Sequence, residues 1–263
     1  MSSFFTVELS DPRFEYDNLR LITVKSPALK KRADISVFVP NVPLIELKGM
    51  VILLHGVYGS HWAWTLKGGV HKTAQRLIDE GTLPPMLLVM PSDGLFGDGS
   101  GYLPHLTEDY EKWIVDDVVN VVTEQIAGRQ LPLFLTGLSM GGFGALRLGA
   151  RYSDKFTAFS GHSSVTEFGR LSQFTEDFEG LRSAIQTQES VLESILKNKS
   201  SLPSFRFDCG IDDILIEPNR RLHQALLQHE IEHTYDEFSG GHEWPYWEAH
   251  VVESLLFFGG FCW

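Results

Sequence analysis

Apolar runs separated by stretches of helical periodicity recur along this chain. Two runs, residues 50–54 and 86–90, are wholly apolar, which is typical of parallel strands buried on both faces. Each stops at a loop, His55-Gly56 or Pro91-Ser92, where α/β sheets bind ligands. Residues 19–24 and 33–39 predict an opening antiparallel pair. The pattern as a whole predicts an α/β fold, with a mostly parallel central sheet and helices on both faces.

The second half of the chain continues this alternation, with one interruption. Residues 163–202 are polar and poorly periodic at first, then helical around 191–196. They predict an excursion over the sheet edge that forms part of the substrate pocket, and not another core layer. The other predicted elements are strands at 131–136, 155–160, 204–209 and 233–238 and helices at 110–126, 219–229 and 246–258.

Composition narrows the possible partners. A chain of 263 residues predicts a single domain, 1–263. The net charge of -12 disfavours nucleic acid or anionic lipid as a partner, because neither binds without a basic face, so a small neutral substrate is expected. Only two cysteines and an N-terminus (residues 1–8) without a secretion pattern indicate a soluble protein of the cytoplasm. The sequence does not predict the oligomeric state.

The chemistry centres on Ser139, which lies between Gly137 and Gly141 at G-x-S-x-G spacing. An apolar run precedes the motif and a helix-like stretch follows it. This is the setting of a nucleophile elbow, where a strand delivers the serine to a tight turn. The following helix directs its N-terminus toward developing negative charge. A serine hydrolase is therefore predicted, against the alternative of a plain strand-to-helix turn.

A nucleophilic serine needs a histidine base and a carboxylate to orient that histidine. His242 follows a strand and two glycines, at the same sheet edge as Ser139. His162, just after another strand, is its main competitor. Asp212 and Asp213 are adjacent after the strand at 204–209, and only one of them can face the imidazole. The residues alone leave that choice open.

Two backbone amides complete the predicted site. An oxyanion hole takes one N–H from the residue after the nucleophile and one from the loop after an earlier strand. These donors would be Met140 and Val57, the latter in a loop whose small residues let the backbone approach a tetrahedral oxygen. No step of this chemistry needs a cofactor.

Three segments carry a resemblance to a known family. Residues 137–146 read Gly-Leu-Ser-Met-Gly-Gly-Phe-Gly-Ala-Leu, residues 209–215 read Cys-Gly-Ile-Asp-Asp-Ile-Leu, and residues 240–247 read Gly-Gly-His-Glu-Trp-Pro-Tyr-Trp. Together they resemble the putative-esterase family of α/β-hydrolases. This family includes tributyrin esterases, feruloyl and acetylxylan esterases of carbohydrate esterase family one, esterase D and mycolyltransferases. The chain looks most like the tributyrin and carbohydrate esterases and least like esterase D.

The resemblance implies a role for each matched position. Ser139 would be the nucleophile, Asp213 the acid and His242 the base, with the N–H groups of Val57 and Met140 as oxyanion donors. The family pattern thus favours Asp213 over Asp212. The implied activity is hydrolysis of carboxylic esters through an acyl-enzyme. An acyltransferase on the same triad and a non-catalytic binding scaffold are the alternatives.

Residues 229–233 match the zinc motif H-E-x-x-H. That motif binds a metal only when one continuous helix carries both histidines. Strand-like residues follow His233, so His229 is expected to end a helix and His233 to start a strand. We predict no catalytic metal.

Aromatic side chains near the predicted site suggest the substrate. A compact acyl group or a planar aryl ester is expected, acetyl to butyryl esters above all, with hydroxycinnamoyl sugar esters as a natural class, because no long apolar lid segment is visible. The predicted substrate contacts are Trp62, Trp64, His162, Trp244 and Trp247.

Overall fold

A computed structural model describes residue 4 and residues 6–262, and of the N-terminal residues considered above, 1–3 and 5 lie outside this part. The described strands form one nine-stranded sheet with the order β1-β2-β3-β5-β4-β6-β7-β8-β9. The strands are β1 Val7–Leu9, β2 Leu19–Lys25, β3 Arg32–Phe38, β4 Gly49–Leu54, β5 Met86–Pro91, β6 Leu133–Gly137, β7 Phe156–His162, β8 Ser204–Gly210 and β9 Thr234–Phe238.

Strands β1, β2 and β3 pair antiparallel with one another in turn, and β3 also pairs antiparallel with β5. The remaining strands, in the spatial order β5-β4-β6-β7-β8-β9, are all parallel. The predicted α/β-hydrolase fold is confirmed. Every residue of β4 and β5 is buried, because helices cover both faces of the central parallel strands. Alternate side chains of β4 therefore enter different cores, Ile52 on one face and Leu53 on the other.

Helices cover the sheet in two layers. The α-helices are α1 Ala63–Leu66, α2 Val70–Asp79, α3 Tyr110–Lys112, α4 Val119–Val122, α5 Met140–Arg151, α6 Phe178–Ala184, α7 Val191–Lys197, α8 Ile216–Gln228 and α9 Trp244–Gly259. Helices α3 and α4 are joined by π-helical turns into one segment at 110–127. Short 3-10 turns lie at Leu44–Glu46, Phe168–Gln173 and Lys199–Ser201.

The segment 163–202 differs in part from the expectation. Helix α7 packs on α5, and its Val191 and Ile195 are buried in the same core as that helix. The apolar positions of α7 therefore extend the core layer on that face, which corrects the prediction that the segment adds none. The capping box that Ser190 and Glu193 form at the start of α7 fixes where this helix begins.

Candidate active site

The elbow between β6 and α5 holds Ser139 in a strained backbone conformation, with φ 54° and ψ -116°. A side chain at Gly137 would collide with the Gly141 carbonyl, and one at Gly141 would collide with the Leu54 carbonyl. The two glycines of the motif are thus required by the closeness of three backbone segments. Helix α5 starts at the next residue and places its positive end at the serine.

Ser139, His242 and Asp213 form one chain of hydrogen bonds. Nε2 of His242 lies 2.9 Å from the Oγ of Ser139. Nδ1 of the same ring lies 3.0 Å from each carboxylate oxygen of Asp213. When Nδ1 donates to the carboxylate, Nε2 is left as an acceptor for the serine hydroxyl proton. The arrangement therefore has the geometry of a nucleophile, a base and an orienting acid.

The structure separates the two adjacent aspartates. Asp213 is buried, and its Oδ1 also accepts a hydrogen bond from the Leu215 amide at 2.8 Å. Asp212 is exposed, and its amide donates to the Gly240 carbonyl at 3.0 Å. Only Asp213 contacts the imidazole, because the turn after β8 directs it inward and its neighbour toward solvent.

The amides of Val57 and Met140 have no hydrogen-bond partner within residues 4 and 6–262. Val57 borders the same cleft as Ser139, and Met140 follows the serine directly. Free N–H groups at these two positions meet the need of an oxyanion hole, which must keep its donors available for a developing charge.

His55 fixes the direction of the Val57 amide. Its Nδ1 donates to the Gly56 carbonyl at 2.7 Å, and its Nε2 accepts from the Asp93 amide at 2.9 Å. Gly56 C=O and Val57 N–H belong to one planar peptide group and point in opposite directions. Burial lowers the pKa of His55 despite the opposing charge of Asp93, so the ring stays neutral and can make both bonds.

A cleft of about 420 Å³ opens above Ser139. Three of the five predicted substrate contacts, Trp62, Trp244 and Trp247, line it. The rings of Trp247 and His242 meet edge to face, with centroids 5.1 Å apart. The cleft is lined by His55, Gly56, Val57, Tyr58, Gly59, Trp62, Ala63, Lys67, Leu138, Ser139, Phe174, His242, Glu243, Trp244 and Trp247.

The other two predicted contacts, Trp64 and His162, lie away from the cleft, so that prediction was wrong for them. Trp64 lies on α1 with its side chain buried, and its indole N–H donates to the Leu54 carbonyl at 3.0 Å. His162 is fully buried and bonded through both ring nitrogens to Asp208 and Ser254. It cannot act as the base for Ser139.

Phe174 and Lys67 are among the cleft side chains that sequence reasoning missed. The Phe174 ring stacks on the His242 imidazole, with centroids 5.2 Å apart and planes 25° apart. The Lys67 ammonium lies 5.4 Å from the Trp244 ring centroid, at cation–π distance. Phe174 lies in an irregular polar stretch without periodicity. No local signal therefore places it over the histidine.

The H-E-x-x-H residues do not lie on one helix. Helix α8 ends at Gln228, directly before His229, and β9 starts at Thr234, directly after His233. Nε2 of His233 instead lies 2.8 Å from Nδ1 of His223. Across the described part of the chain, no three His, Cys, Asp or Glu side chains form a group able to hold a metal.

None of the helices between residues 6 and 262 combines the length and apolarity needed to cross a membrane.

The family model described as "Putative esterase" matches residues 26–258. A curated relative, the acetyl esterase of Caldicellulosiruptor saccharolyticus, is 27% identical over 226 residues, which cover 77% of this chain and 80% of the relative. The match to the family model spans the elbow, the aspartate loop and the histidine loop.

Two solved structures share the fold over almost the whole chain. A ferulic acid esterase superposes with a TM-score of 0.79 at 23% identity, covering 98% of this chain and all of its own. An S-formylglutathione hydrolase from Agrobacterium tumefaciens superposes with a TM-score of 0.77 at 16% identity, covering all of both chains. At such identities the likeness is one of fold, and it does not separate one esterase activity from another.

Proposed function

Because this chain belongs to the family described as "Putative esterase", we propose that it is a serine carboxylic ester hydrolase that works through an acyl-enzyme on Ser139. The observation that carries the proposal is the unbroken hydrogen-bond chain from Ser139 through His242 to Asp213 at the floor of a cleft. A binding scaffold has no need of a strained serine aligned with a base at 2.9 Å.

In this mechanism the Oγ of Ser139 attacks the ester carbonyl carbon while Nε2 of His242 takes the hydroxyl proton. The carbonyl oxygen becomes an oxyanion and accepts hydrogen bonds from the Val57 and Met140 amides. The carbon–oxygen bond to the alcohol then breaks, and His242 returns the proton to the leaving oxygen. Water repeats the attack on the acyl-enzyme and frees the acid. Asp213 holds the imidazole in the tautomer that both steps use.

For the substrate we propose a short acyl or aryl ester. The cleft has room for a small acyl group and one ring, and Trp62, Trp244, Trp247 and Phe174 offer flat apolar surfaces for it. A relative named acetyl esterase and a fold neighbour named ferulic acid esterase agree with this class. The net charge of -12 favours a neutral ester over an anionic one.

We also propose that residues 1–263 work as one domain, since a single sheet contains strands from Val7 to Phe238.

The test uses the wild type and Ser139→Ala with p-nitrophenyl acetate and a fluorophosphonate probe. We expect turnover by the wild type, a loss of at least about 10⁴-fold in Ser139→Ala, and labelling of Ser139 only in the wild type. A nitrophenyl ester series should peak between acetyl and butyryl and fall steeply beyond about eight carbons. A folded wild type inert to both reagents would remove the proposal. Ester formation with an added alcohol in preference to hydrolysis would indicate an acyltransferase.

A further inference from the structure

A second Ser-His-Asp arrangement lies behind the first. Nδ1 of His162 lies 3.0 Å from the carboxylate oxygens of Asp208, and its Nε2 lies 2.8 Å from the Oγ of Ser254. All three residues are 0% exposed, and none lines the catalytic cleft. No ester can reach Ser254, so the arrangement has the geometry of a catalytic triad without access to substrate.

In this buried triad the charge of the Asp208 carboxylate is compensated by Arg206, and the carboxylate also accepts further hydrogen bonds. Arg206 donates to Asp208 at 2.8 Å and to Asp236 at 2.9 Å, and the Tyr246 hydroxyl donates to Asp208 at 2.9 Å. Burial and the adjacent Asp208 carboxylate raise the pKa of Tyr246, so this hydroxyl remains a donor. Removing two charges from water is costly, and replacing a buried ion pair with apolar side chains often leaves a protein at least as stable. The network therefore calls for an explanation beyond stability.

The position of the buried network supplies this explanation. The network contacts every segment that carries a member of the active-site triad. The main-chain carbonyl of His162 accepts the Ser139 amide at 3.0 Å, so the end of β7 holds the elbow. Asp208 lies on β8, whose last residue, Gly210, accepts the Asp213 amide at 3.1 Å. One strand thus carries the buried acid and leads directly into the catalytic one.

The third contact is with the histidine loop. Helix α9 begins two residues after His242, and both Tyr246 and Ser254 lie on it. Their bonds to Asp208 and His162 fix the helix against β7 and β8. A side chain at Gly240 would approach the Tyr246 ring to 2.9 Å, so the loop before His242 packs directly on the tyrosine that the network holds.

We propose that His162, Asp208, Tyr246 and Ser254 are positioning residues for the catalytic triad. The inference rests on the proposed function. The network sets the mutual placement of the elbow, the Asp213 turn and the His242 loop through one shared set of buried bonds. An error of about 1 Å in such placement is enough to cost a large factor in turnover.

Each variant removes one hydroxyl group and keeps the packing. Tyr246→Phe deletes the hydroxyl that donates to Asp208. Ser254→Ala deletes the partner of His162 Nε2, and with it the oxygen that accepts from Ser160 at 2.7 Å and from Arg206 at 3.4 Å. The matched control is Tyr152→Phe, which deletes a hydroxyl that donates to another buried carboxylate, Glu111, at 2.7 Å. Active-site titration with a fluorophosphonate counts competent sites, and kcat and KM for p-nitrophenyl acetate are expressed per titrated site.

We expect kcat per site to fall about 5- to 20-fold in Tyr246→Phe and Ser254→Ala with KM within about twofold of the wild type, because alignment acts on the transition state more than on binding. The rate of fluorophosphonate labelling should fall in parallel. Tyr152→Phe should stay within about twofold in both. These results would support the positioning role.

A purely structural role would lower the melting temperature and the number of titratable sites while leaving kcat per site unchanged. That result in both network variants, with an active wild type labelled at Ser139, would overturn this inference and leave the proposed function intact. An inert and unlabelled wild type would overturn the proposed function, and this inference with it.

Discussion

Asp212 and Asp213 are neighbours in sequence with opposite surroundings. The carboxylate of Asp213 is buried and accepts from both His242 and the Leu215 amide. Asp212 is exposed and holds the turn through its main chain. A change from carboxylate to amide would therefore remove the partner of His242 at position 213, and would leave the main-chain hydrogen bond intact at position 212.

Asp213→Asn should lower kcat/KM by about 10⁴-fold, because an amide no longer holds the histidine in the working tautomer. Asp212→Asn keeps the main-chain bond to Gly240 and should change kcat/KM by less than about threefold. Ester hydrolysis by the two purified variants, matched for folded protein by circular dichroism, decides this. The reverse ranking would move the acid to Asp212.

The residue scale also shows where sequence reasoning stops. Ser139 and His242 can be identified from the sequence because each follows a predicted strand and has glycines beside it. A tight turn at a sheet edge requires such glycines. His162 has the same local setting, yet its side chain faces the buried Asp208. The direction of a side chain at the end of a strand depends on the neighbouring strand and on α9. The local sequence contains no information about these contacts.

At the scale of elements, the segment between β7 and β8 performs two tasks. Helix α7 packs on α5 as part of the core. Phe174, after a 3-10 turn, stacks on the catalytic histidine instead. The amide of Glu176 donates to Asp98 at 2.6 Å and ties this stretch to the loop beyond β5. The stretch around Phe174 thus closes one side of the cleft.

Phe174→Ala should therefore widen acyl specificity and weaken the support of His242. The ratio of kcat/KM for butyryl to octanoyl nitrophenyl esters should fall about tenfold, since the added space accepts further methylenes. Loss of the ring contact should lower kcat for the acetyl ester about 3- to 10-fold. Kinetics on a chain-length series measure both.

The control is Phe178→Ala in the same segment. Phe178 packs against Phe168, with ring centroids 5.2 Å apart, and does not border the cleft. The Phe178→Ala variant should keep the wild-type ratio of kcat/KM for butyryl to octanoyl esters. Equal ratios in the two variants would show that Phe174 does not bound the acyl pocket.

The elements themselves were largely predictable, and for a physical reason. Central strands such as β4 and β5 are buried on both faces. Their sequences are therefore continuous apolar runs, which are easily recognised. Strand β9 lies at the edge of the sheet and reads Thr-Tyr-Asp-Glu-Phe, yet the glycines that follow it mark its end. The segment around Phe174 had no such constraint. Its path follows from contacts with distant loops.

At the scale of the whole molecule, buried and half-buried histidines link folding to pH. Loss of hydration lowers the pKa of six of them, against the neighbouring carboxylates in most cases. These residues are His55, His61, His71, His105, His233 and His250. An unfolded chain protonates each near pH 6.5. Below that pH the unfolded state therefore binds more protons than the native state does.

Stability should accordingly be full above about pH 6.5 and decline as the pH falls toward the native pKa values, because stability rises with pH wherever the unfolded state holds more protons. The slope can reach about 1.4 kcal/mol per pH unit for each histidine that is protonated in the unfolded chain and neutral in the fold. Asp117 opposes the trend, since burial raises its pKa, but it is one group against six. Urea unfolding at pH 7.5, 6.5 and 5.5 measures the balance. A midpoint that stays constant or rises between pH 7.5 and 5.5 would mean that these histidines protonate without unfolding the sites that bury them.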